Sequence, residues 1–372
     1  MNTSESDFEI FLVAPPGLEQ ALLTEASALN FPAPQQTAGG VTFRGGWQDV
    51  WRANVALRGA TRVLARIGSF RAFHLAQLDK RARKFPWGDV LRPDVPVRIE
   101  VTTRKSKIYH AGAASQRIET AIKETIGAQI SADAPVALKI RIDDNLVTIS
   151  VDTSGPSLHK RGFKEAVNKA PMRETLAALF LSECGYTGAE AVLDPMCGSG
   201  TFVIEAAEIA AGLAPGRARS FAFEQLATFE ASALSALRTP AAVRETPHRF
   251  FGSDRDAGAA RMATANAERA GVSHLTTFSN TAISDLARPD LPSGLVIANP
   301  PYGARVSNKK PLFGLYDSFG RTMRERFSGW RVAVITTDAP LAHATGLSFA
   351  HQTAPIPHGG LKVKLYLTDP LP

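Results

Sequence analysis

Two short motifs carry the residue types that could do chemistry. The first is a glycine loop, Asp194-Pro195-Met196-Cys197-Gly198-Ser199-Gly200-Thr201, which follows the strand-like run Ala191-Val192-Leu193 and leads into a helix-like run. Glycines at the carboxyl end of a parallel strand let a ligand approach the backbone closely. The second motif, Asn299-Pro300-Pro301-Tyr302, follows the apolar run 295–298. The loop is suited to holding a cofactor, and the second motif is suited to presenting an amine to it.

The Asn-Pro-Pro-Tyr motif predicts a rigid, exposed turn. Two consecutive prolines deny the chain ladder and helix hydrogen bonds just beyond the strand end. The side-chain oxygen of Asn299 and the carbonyl of Pro300 would then accept the two hydrogens of an amino group. Tyr302 would stack on the ring that bears this group. The turn therefore indicates a substrate with an amine on an aromatic ring.

These motifs, in this order and at this spacing, resemble the cofactor and catalytic motifs of class I S-adenosylmethionine-dependent amino-methyltransferases that act on nucleic-acid bases. The resemblance implies an α/β fold with a Rossmann-like methyltransferase sheet, and S-adenosylmethionine as the cofactor. It assigns catalysis to Asn299, Pro300, Pro301 and Tyr302. It assigns cofactor binding to a larger set: Arg173, Glu174, Asp194, Pro195, Cys197, Gly198, Gly200, Thr201, Asp254 and Asn280.

Two of these residues stand where predicted strands end. Asp254 closes the strand 249–254, where a carboxylate accepts hydrogen bonds from both ribose hydroxyls of a bound nucleoside. The next strand is predicted over 276–279, and after it the family often has an acid or amide that reads the adenine amino group. Asn280 holds that place, Asp285 competes with it, and the sequence leaves the choice open.

The two cysteines, Cys184 and Cys197, support neither a disulfide framework nor a structural zinc site. We therefore predict no metal site. Cys197, inside the glycine loop, is interpreted as a small buried residue rather than a nucleophile.

The net charge of +7 is concentrated in one region. Between Arg58 and Lys123, 15 lysine and arginine residues stand against 5 aspartate and glutamate residues. Such a balance is typical of a protein that binds a polyanion. Within this region the loop 103–110 combines cations, hydroxyls and one aromatic residue, so it can pair with phosphates while the aromatic side chain stacks. We predict RNA contacts from Arg104, Lys105, Lys107 and Tyr109.

The amino-terminal half resembles that of the same methyltransferase family, a ferredoxin-like domain followed by a THUMP RNA-binding domain. We predict a ferredoxin-like domain over 1–60, a THUMP domain over 61–155, a linker over 156–175 and the methyltransferase domain over 176–372. Inside the methyltransferase domain, the stretch from Leu213 to Arg249 is predicted to be an insertion, since a minimal Rossmann-like unit reaches its second strand sooner.

The join between the halves extends the resemblance to nearly the whole chain. Leu158-His159-Lys160-Arg161-Gly162-Phe163 and the run 170–178 resemble the join in bacterial guanine amino-methyltransferases of ribosomal RNA. The resemblance implies phosphate contacts for Lys160, Arg161 and, beyond the turn, Arg305. It also implies that the helix opened by Arg173 and Glu174 closes over the methionine end of the cofactor. Placement of a glutamate at a helix start for its charge alone is an equally open explanation.

Composition excludes several other classes. With 44% hydrophobic and 21% charged residues the chain is typical of globular proteins. It has no run approaching the roughly 18 apolar residues of a membrane span. Residues 1–7 lack the features of a secretory signal, so we predict a cytoplasmic protein with no membrane partner.

The sequence thus predicts an enzyme that methylates the N2 amine of guanine in structured RNA, with 23S ribosomal RNA as the leading substrate. The same chemistry on tRNA is the first alternative. Adenine-N6 methylation and a non-catalytic RNA assembly factor are the others. Some family members carry a second methyltransferase domain, and because the sequence stops at Pro372 we expect the amine-directed activity alone.

Overall fold

The computed structural model describes residues 7–165, 172–238, 244–291, 293–302 and 310–372. The helices are α1 (Glu19–Ala28), α2 (Trp47–Ala56), α3 (Leu75–Ala82), α4 (Ala111–Ile126), α5 (Glu174–Glu183), α6 (Thr201–Ala210), α7 (Ala231–Arg238), α8 (Ala257–Ala270), α9 (Lys310–Arg326) and α10 (Ala339–Ala344). The strands of the amino-terminal half are β1 (Phe8–Val13), β2 (Gln35–Thr37), β3 (Gly40–Gly45), β4 (Arg62–Arg71), β5 (Val97–Arg104), β6 (Val136–Asp143) and β7 (Leu146–Asp152). Those of the other half are β8 (Ala191–Asp194), β9 (Phe250–Asp254), β10 (Thr276–Asn280), β11 (Gly294–Ala298), β12 (Arg331–Thr336), β13 (Phe349–Gln352), β14 (Ile356–His358) and β15 (Leu361–Thr368).

The chain forms two compact units. One unit contains Met1–Ala14, Leu22–Leu158 and Arg219–Thr239, and the other contains Pro15–Ala21, His159–Ala218 and Pro240–Pro372. Two segments depart from a simple order along the chain: Pro15–Ala21 belongs to the second unit, and Arg219–Thr239 belongs to the first. The predicted insertion is therefore divided between the two units. Residues 159–165, predicted as linker, group with the methyltransferase half.

The first unit is built on a single sheet. In its described residues the strand order is β2-β3-β1-β4-β7-β6-β5. The strands of the predicted ferredoxin-like domain and those of the predicted THUMP domain therefore form one continuous sheet. The predicted hairpin is present as antiparallel β6 and β7. Its turn residues Asp144 and Asn145 have φ of 48° and 61°, a left-handed conformation that these two residue types tolerate best.

The part of the insertion in the first unit is held by one arginine and a cluster of rings. The Arg219 guanidinium donates to the carbonyl oxygens of Ser154 (3.0 Å), Pro156 (2.6 Å) and Ser157 (3.0 Å). The ring of Phe223 lies against that of Trp51 of α2, with ring centroids 6.2 Å apart. These contacts explain why the segment leaves its sequence neighbours, since its buried aromatic side chains need an apolar partner surface.

The second unit has a mainly parallel sheet whose order, in the described residues, is β10-β9-β8-β11-β12-β15-β13, with β14 paired to β15. Strands β8 and β11 are buried at every position, as in a parallel sheet covered on both faces. From β8 the chain moves outward to β9 and β10 and then returns to β11 on the other side. Ligands bind at such a reversal point, beyond the carboxyl ends of the strands. Here the glycine loop follows β8 and the Asn-Pro-Pro-Tyr turn follows β11.

Several sequence predictions in this unit are confirmed. Asp256 caps α8 by accepting a hydrogen bond from the Gly258 amide (2.7 Å), and Gly271 ends the helix at φ 77°. The late strand β15 pairs antiparallel with β12, as predicted.

Within the described residues, no helix is both long enough and apolar enough to span a bilayer.

Candidate active site

Hydrogen bonds donated by its backbone amides hold the glycine loop in place. The Asp194 carboxylate accepts from the Met196 amide (3.0 Å), and the Cys197 amide donates to the Ser253 carbonyl (2.9 Å). Burial is the main cause that raises the pKa of Asp194 to about 8; the hydrogen bond from the Met196 amide acts against it, and the nearby Asp254 carboxylate adds to it. Asp194 therefore shapes the loop from inside. Burial also raises the pKa of the Cys197 thiol, which keeps it protonated.

The two loop glycines have different functions. Both lie in the left-handed region, with φ of 52° at Gly198 and 83° at Gly200. A side chain at Gly198 would meet nothing within 4 Å, whereas one at Gly200 would lie 3.0 Å from the Ala263 side chain and 3.2 Å from the Phe278 ring. Gly198 therefore leaves open space at the cavity, and Gly200 allows α6 to start close to α8 and β10.

Asp254 lies at the end of β9 against the glycine loop. Its Oδ2 accepts from the Gly198 amide (3.0 Å) and its Oδ1 accepts from the Asp256 amide (2.9 Å). Each carboxylate oxygen can accept a second hydrogen bond, so the group can still receive ribose hydroxyls. The same contacts hold the carboxylate in a fixed orientation.

Asp254→Ala is expected to weaken binding of S-adenosylhomocysteine by about 1–3 kcal/mol, the cost of leaving ribose hydroxyls unpaired. Isothermal titration calorimetry measures this directly. Asp290→Ala, an exposed aspartate of the same unit, is the matched control and should leave the affinity unchanged. Equal affinities for both variants and the unaltered protein would remove Asp254 from the site.

A cavity of about 1180 Å³ opens in the second unit at the ends of these strands. It brings together most of the predicted site residues, namely Lys160, Arg161, Arg173, Glu174, Asp194, Pro195, Cys197, Gly198, Thr201, Asp254, Asn299, Pro300, Pro301 and Tyr302. Among the described residues that line it, Gly200 and Asn280 are not included. Lys164, Ile283, Leu315, His358 and Leu361 also line it and were not singled out from the sequence.

The residue that contacts the adenine amino group of the cofactor remains a prediction. Asn280 is exposed and donates its side-chain amide to the Asp254 carbonyl (3.0 Å). Its competitor Asp285 is exposed and accepts from the Ser284 hydroxyl (3.4 Å). Between them in sequence, buried Ile283 reaches the cavity wall and offers an apolar surface for a ring. An isolated apolar residue between two polar candidates gave no signal in the sequence.

The Asn-Pro-Pro-Tyr turn presents an acceptor that lacks a protein partner. The Oδ1 atom of Asn299 is buried and makes no hydrogen bond within the described part of the chain. Pro301 is anchored by the buried Tyr316, whose hydroxyl donates to the Pro301 carbonyl (3.4 Å). Tyr302 is half-buried and packs against the apolar cluster that contains Tyr316. Because a buried acceptor without a partner is costly, Asn299 fits a ligand that donates a hydrogen bond there.

The join 158–165 folds onto the second unit from His159 onward. Arg161 is buried and forms an ion pair with Glu205 of α6 (3.1 Å), with both side chains 1% exposed. This placement does not support the predicted phosphate contact of Arg161, because its guanidinium faces the protein interior. Lys160 is exposed at the cavity. Burial, followed by the charges of Arg173 and Lys160, lowers the pKa of His159 to about 4, so this side chain is neutral at physiological pH.

The predicted RNA loop lies in the first unit. Arg104, Lys105 and Lys107 are exposed, and the Tyr109 side chain is 80% exposed. The Lys107 ammonium lies 5.7 Å from the ring centroid of Phe73, a second exposed aromatic residue that sequence reasoning missed. Arg305, predicted to meet phosphate, lies outside the described residues. Among the residues that are described, no group of three or more His, Cys, Asp or Glu side chains is arranged to hold a metal ion.

Two family models match this chain. Residues 161–364 match the family model described as RMKL-like, methyltransferase domain, and residues 9–64 match the RlmL ferredoxin-like domain. The Ribosomal RNA large subunit methyltransferase K/L of Syntrophotalea carbinolica is 35% identical over 98% of this chain and 54% of its own length. The chain thus spans about half the length of the curated relatives it matches.

Two solved structures cover nearly the whole chain. A putative methyltransferase complexed with SAH has a TM-score of 0.85 and 27% identity, over 98% of this chain and 99% of its own. A Listeria monocytogenes protein described as a predicted N6-adenine-specific DNA methylase has a TM-score of 0.86 and 29% identity, over 98% of this chain and 96% of its own. Both are similar to this chain in both units.

Proposed function

The chain belongs to the family of RMKL-like methyltransferase domains, and we propose that it transfers a methyl group from S-adenosylmethionine to the N2 amine of a guanine in large-subunit ribosomal RNA. The observation that carries the proposal is the buried Asn299 Oδ1, which has no hydrogen-bond partner within the described residues and lines a cavity shared with the glycine loop. We also propose that the reaction takes place in the cytoplasm.

The residues of the cavity fit the cofactor. S-adenosylmethionine supplies a methyl group that its sulfonium makes electrophilic. We assign the ribose hydroxyls to Asp254 and a ring surface to Ile283, and Gly198 leaves room for the ligand to approach the backbone. The orphaned Asn299 acceptor lines the same cavity, so a target amine can be held beside the cofactor.

The protein mainly has to align a weak nucleophile. An exocyclic amine has its lone pair delocalised into the base. Hydrogen bonds donated by this amine to Asn299 and to the Pro300 carbonyl favour a pyramidal nitrogen and stabilise the positive charge that develops on it. The methylated nitrogen then loses its extra proton to solvent water, so a dedicated general base is unnecessary for this step. The target base must leave its stack to reach the cavity, and Tyr302 provides a replacement stacking surface.

We propose that the loop 104–109 of the first unit contacts the RNA. Its three cations match phosphates, and Tyr109 with Phe73 offers exposed rings for unpaired bases. This region corresponds to the predicted THUMP domain over 61–155, whose boundaries remain our proposal. We propose the same role for Lys160, which lines the cavity, and for Arg305.

Neutralising Arg104, Lys105 and Lys107 together with glutamine is expected to reduce the slope of log K against log salt by about 2–3 for an RNA fragment, because each lost phosphate contact removes a slope of about 0.7–0.9. Fluorescence anisotropy over a salt series measures it. Tyr109→Ala should instead weaken binding by about 1–3 kcal/mol, provided that a base stacks there, and leave the slope unaltered. A triple variant with the original slope would place the RNA contacts elsewhere.

The same site also fits two other substrates, an adenine of DNA and a guanine of tRNA. The Listeria monocytogenes relative is described as an adenine-specific DNA methylase, and an adenine amine also donates two hydrogens. The exposed Tyr109 beside three exposed cations favours RNA with unpaired bases over duplex DNA. The same chemistry on tRNA would need no change in the site. A non-catalytic assembly role is opposed by the intact arrangement of Asp254, Gly198 and Asn299.

The experiment that tests the substrate class uses the purified chain with S-adenosylmethionine carrying a tritiated methyl group. Ribosomal RNA, tRNA and genomic DNA, each prepared from cells lacking the gene, are compared as acceptors. We expect incorporation into large-subunit ribosomal RNA. Incorporation into tRNA or DNA alone would transfer the mechanism to that polymer, and absence of incorporation into all three would favour the non-catalytic alternative.

A further inference from the structure

The end of β4 carries a β-bulge that changes which side chains face outward. The pairing of β4 with β7 shifts register between Arg66 and Gly68. Beyond this shift, a side chain at Gly68 would lie 2.6 Å from the ring of Phe85, whereas Ser69 and Arg71 are exposed. Side chains of a strand alternate between the two faces of a sheet, and one extra residue reverses the alternation. The bulge therefore places Ser69 and Arg71 on the same face as Arg66.

The strand register continues this exposed face across three further strands, in two rows. The first row consists of Ser69 of β4, Thr148 of β7, Arg141 of β6 and Thr102 of β5. The second row consists of Arg71, Leu146, Asp143 and Arg104 in the same strand order. All eight residues are exposed or half-buried. We call these two rows the outer patch, and it combines three arginines and three hydroxyl side chains with one carboxylate.

The arginines of the outer patch outnumber its acids. The hydrogen bond from Arg141 (2.6 Å) is the main cause that lowers the pKa of Asp143; desolvation acts against it, and the charges of Arg104 and Lys105 add to it. One carboxylate thus faces three cations. At the border of the patch, burial and then the charge of Arg141 lower the pKa of Arg66. A polyanion on this face would compensate the excess of positive charge.

The outer patch suits a nucleic-acid backbone better than unstacked bases. No ring belongs to its two rows, and the nearby ring of Phe11 is covered by the Arg66 guanidinium, which lies 4.5 Å from the ring centroid. Double-helical RNA keeps its bases stacked and is recognised through its phosphates and 2′-hydroxyl groups. Arginine matches phosphate oxygens, and the hydroxyls of serine and threonine can both donate to and accept from a 2′-hydroxyl. The combination therefore favours duplex RNA over duplex DNA.

We propose that the outer patch binds the backbone of double-helical RNA, with its arginines contacting phosphates and its hydroxyl side chains contacting 2′-hydroxyl groups. Arg104 also begins the loop 104–109, whose exposed ring suits unpaired bases, so the two surfaces are continuous. A structured RNA in which a helix adjoins unpaired nucleotides can contact both. The proposal rests on the proposed RNA substrate, but it concerns binding alone and is independent of which amine is methylated.

The test measures binding by fluorescence anisotropy, without cofactor, to a labelled RNA duplex, to single-stranded RNA of the same length and to a DNA duplex of the same sequence. Arg71→Gln combined with Arg141→Gln is expected to weaken binding of the RNA duplex about 10-fold or more. The slope of log K against log salt should fall by about 2, because two phosphate contacts are lost. Binding of single-stranded RNA should change less than about twofold, because its bases stack on the loop.

Thr102→Val combined with Thr148→Val removes two hydroxyls while keeping side-chain volume and charge. This variant should bind the RNA duplex at least about fivefold more weakly, the scale for two lost hydrogen bonds. Its affinity for the DNA duplex should be unchanged, because DNA has no 2′-hydroxyl groups. An equal loss for the two duplexes, or no loss for either, would overturn the assignment of the hydroxyl side chains.

Arg117→Gln combined with Lys123→Gln is the matched control, since it removes the same charge from two exposed residues of α4. Its binding of the RNA duplex should stay within about twofold of the unaltered protein. Unchanged duplex binding by the arginine variant, or a loss as large in this control, would overturn the proposal. These assays involve no methyl transfer, so their failure leaves the proposed methylation standing, and an inactive enzyme would leave the outer patch standing.

Discussion

Asn299→Ala is expected to lower the rate of methyl transfer by about 10²–10³-fold or more, the scale found when one pre-oriented hydrogen-bonding group is removed from a transition state. The Oδ1 atom of Asn299 is the buried acceptor that lacks a partner within the described residues. We propose that this atom stabilises charge on the amine only as the methyl group is transferred. Its loss should therefore lower kcat strongly.

Cofactor binding should survive this change, because Asp254 and the glycine loop are held by contacts that do not include Asn299. Calorimetry with S-adenosylhomocysteine checks that the variant is folded and loaded. Asn299→Asp retains an acceptor oxygen at the same position and should keep more activity than the alanine variant. An alanine variant with full activity would remove Asn299 from the mechanism.

Arg161→Met is expected to reduce the opening free energy of the second unit by about 3–5 kcal/mol, because it leaves the Glu205 carboxylate buried without its counter-ion. Both side chains of this pair are 1% exposed, so water cannot replace the lost partner. Hydrogen exchange of the α6 amides measures the opening free energy of this region without assuming that the whole chain unfolds in one step.

Two further variants make this prediction specific. Lys160→Met removes the neighbouring, exposed charge and should change the opening free energy by no more than about 0.5 kcal/mol. Arg161→Met combined with Glu205→Met should recover much of the loss, since two apolar side chains replace the pair. A single Arg161→Met variant as stable as the unaltered protein would show that the buried pair does not hold the join to α6.

Features set by local chemistry could be predicted from the sequence. The Asp256 cap and the Gly271 end of α8 depend on residues within the helix itself. The Asp144-Asn145 turn likewise depends on two residues that tolerate positive φ. The glycine loop and the Asn-Pro-Pro-Tyr turn could be placed together because each follows an apolar strand, and parallel strands end at the same edge of a sheet.

Features set by distant partners could not be predicted. The run Lys160-Arg161 looks uniformly basic, yet Lys160 is exposed and Arg161 is buried because Glu205 of α6 lies opposite it. The segment that begins at Arg219 interrupts the methyltransferase sequence but packs with the first unit, where its rings contact Trp51 of α2. The partner that decides each case is 44 or more residues away in sequence, so no local pattern reveals it.

The measurement that tests the central claim most directly identifies the methylated atom. Large-subunit ribosomal RNA from cells lacking the gene is incubated with the purified chain and S-adenosylmethionine bearing a deuterated methyl group, then digested and examined by nucleoside mass spectrometry. We expect labelled N2-methylguanosine, absent when Asn299→Ala replaces the unaltered chain. Labelled N6-methyladenosine, or a label on a carbon atom of any base, would contradict the account.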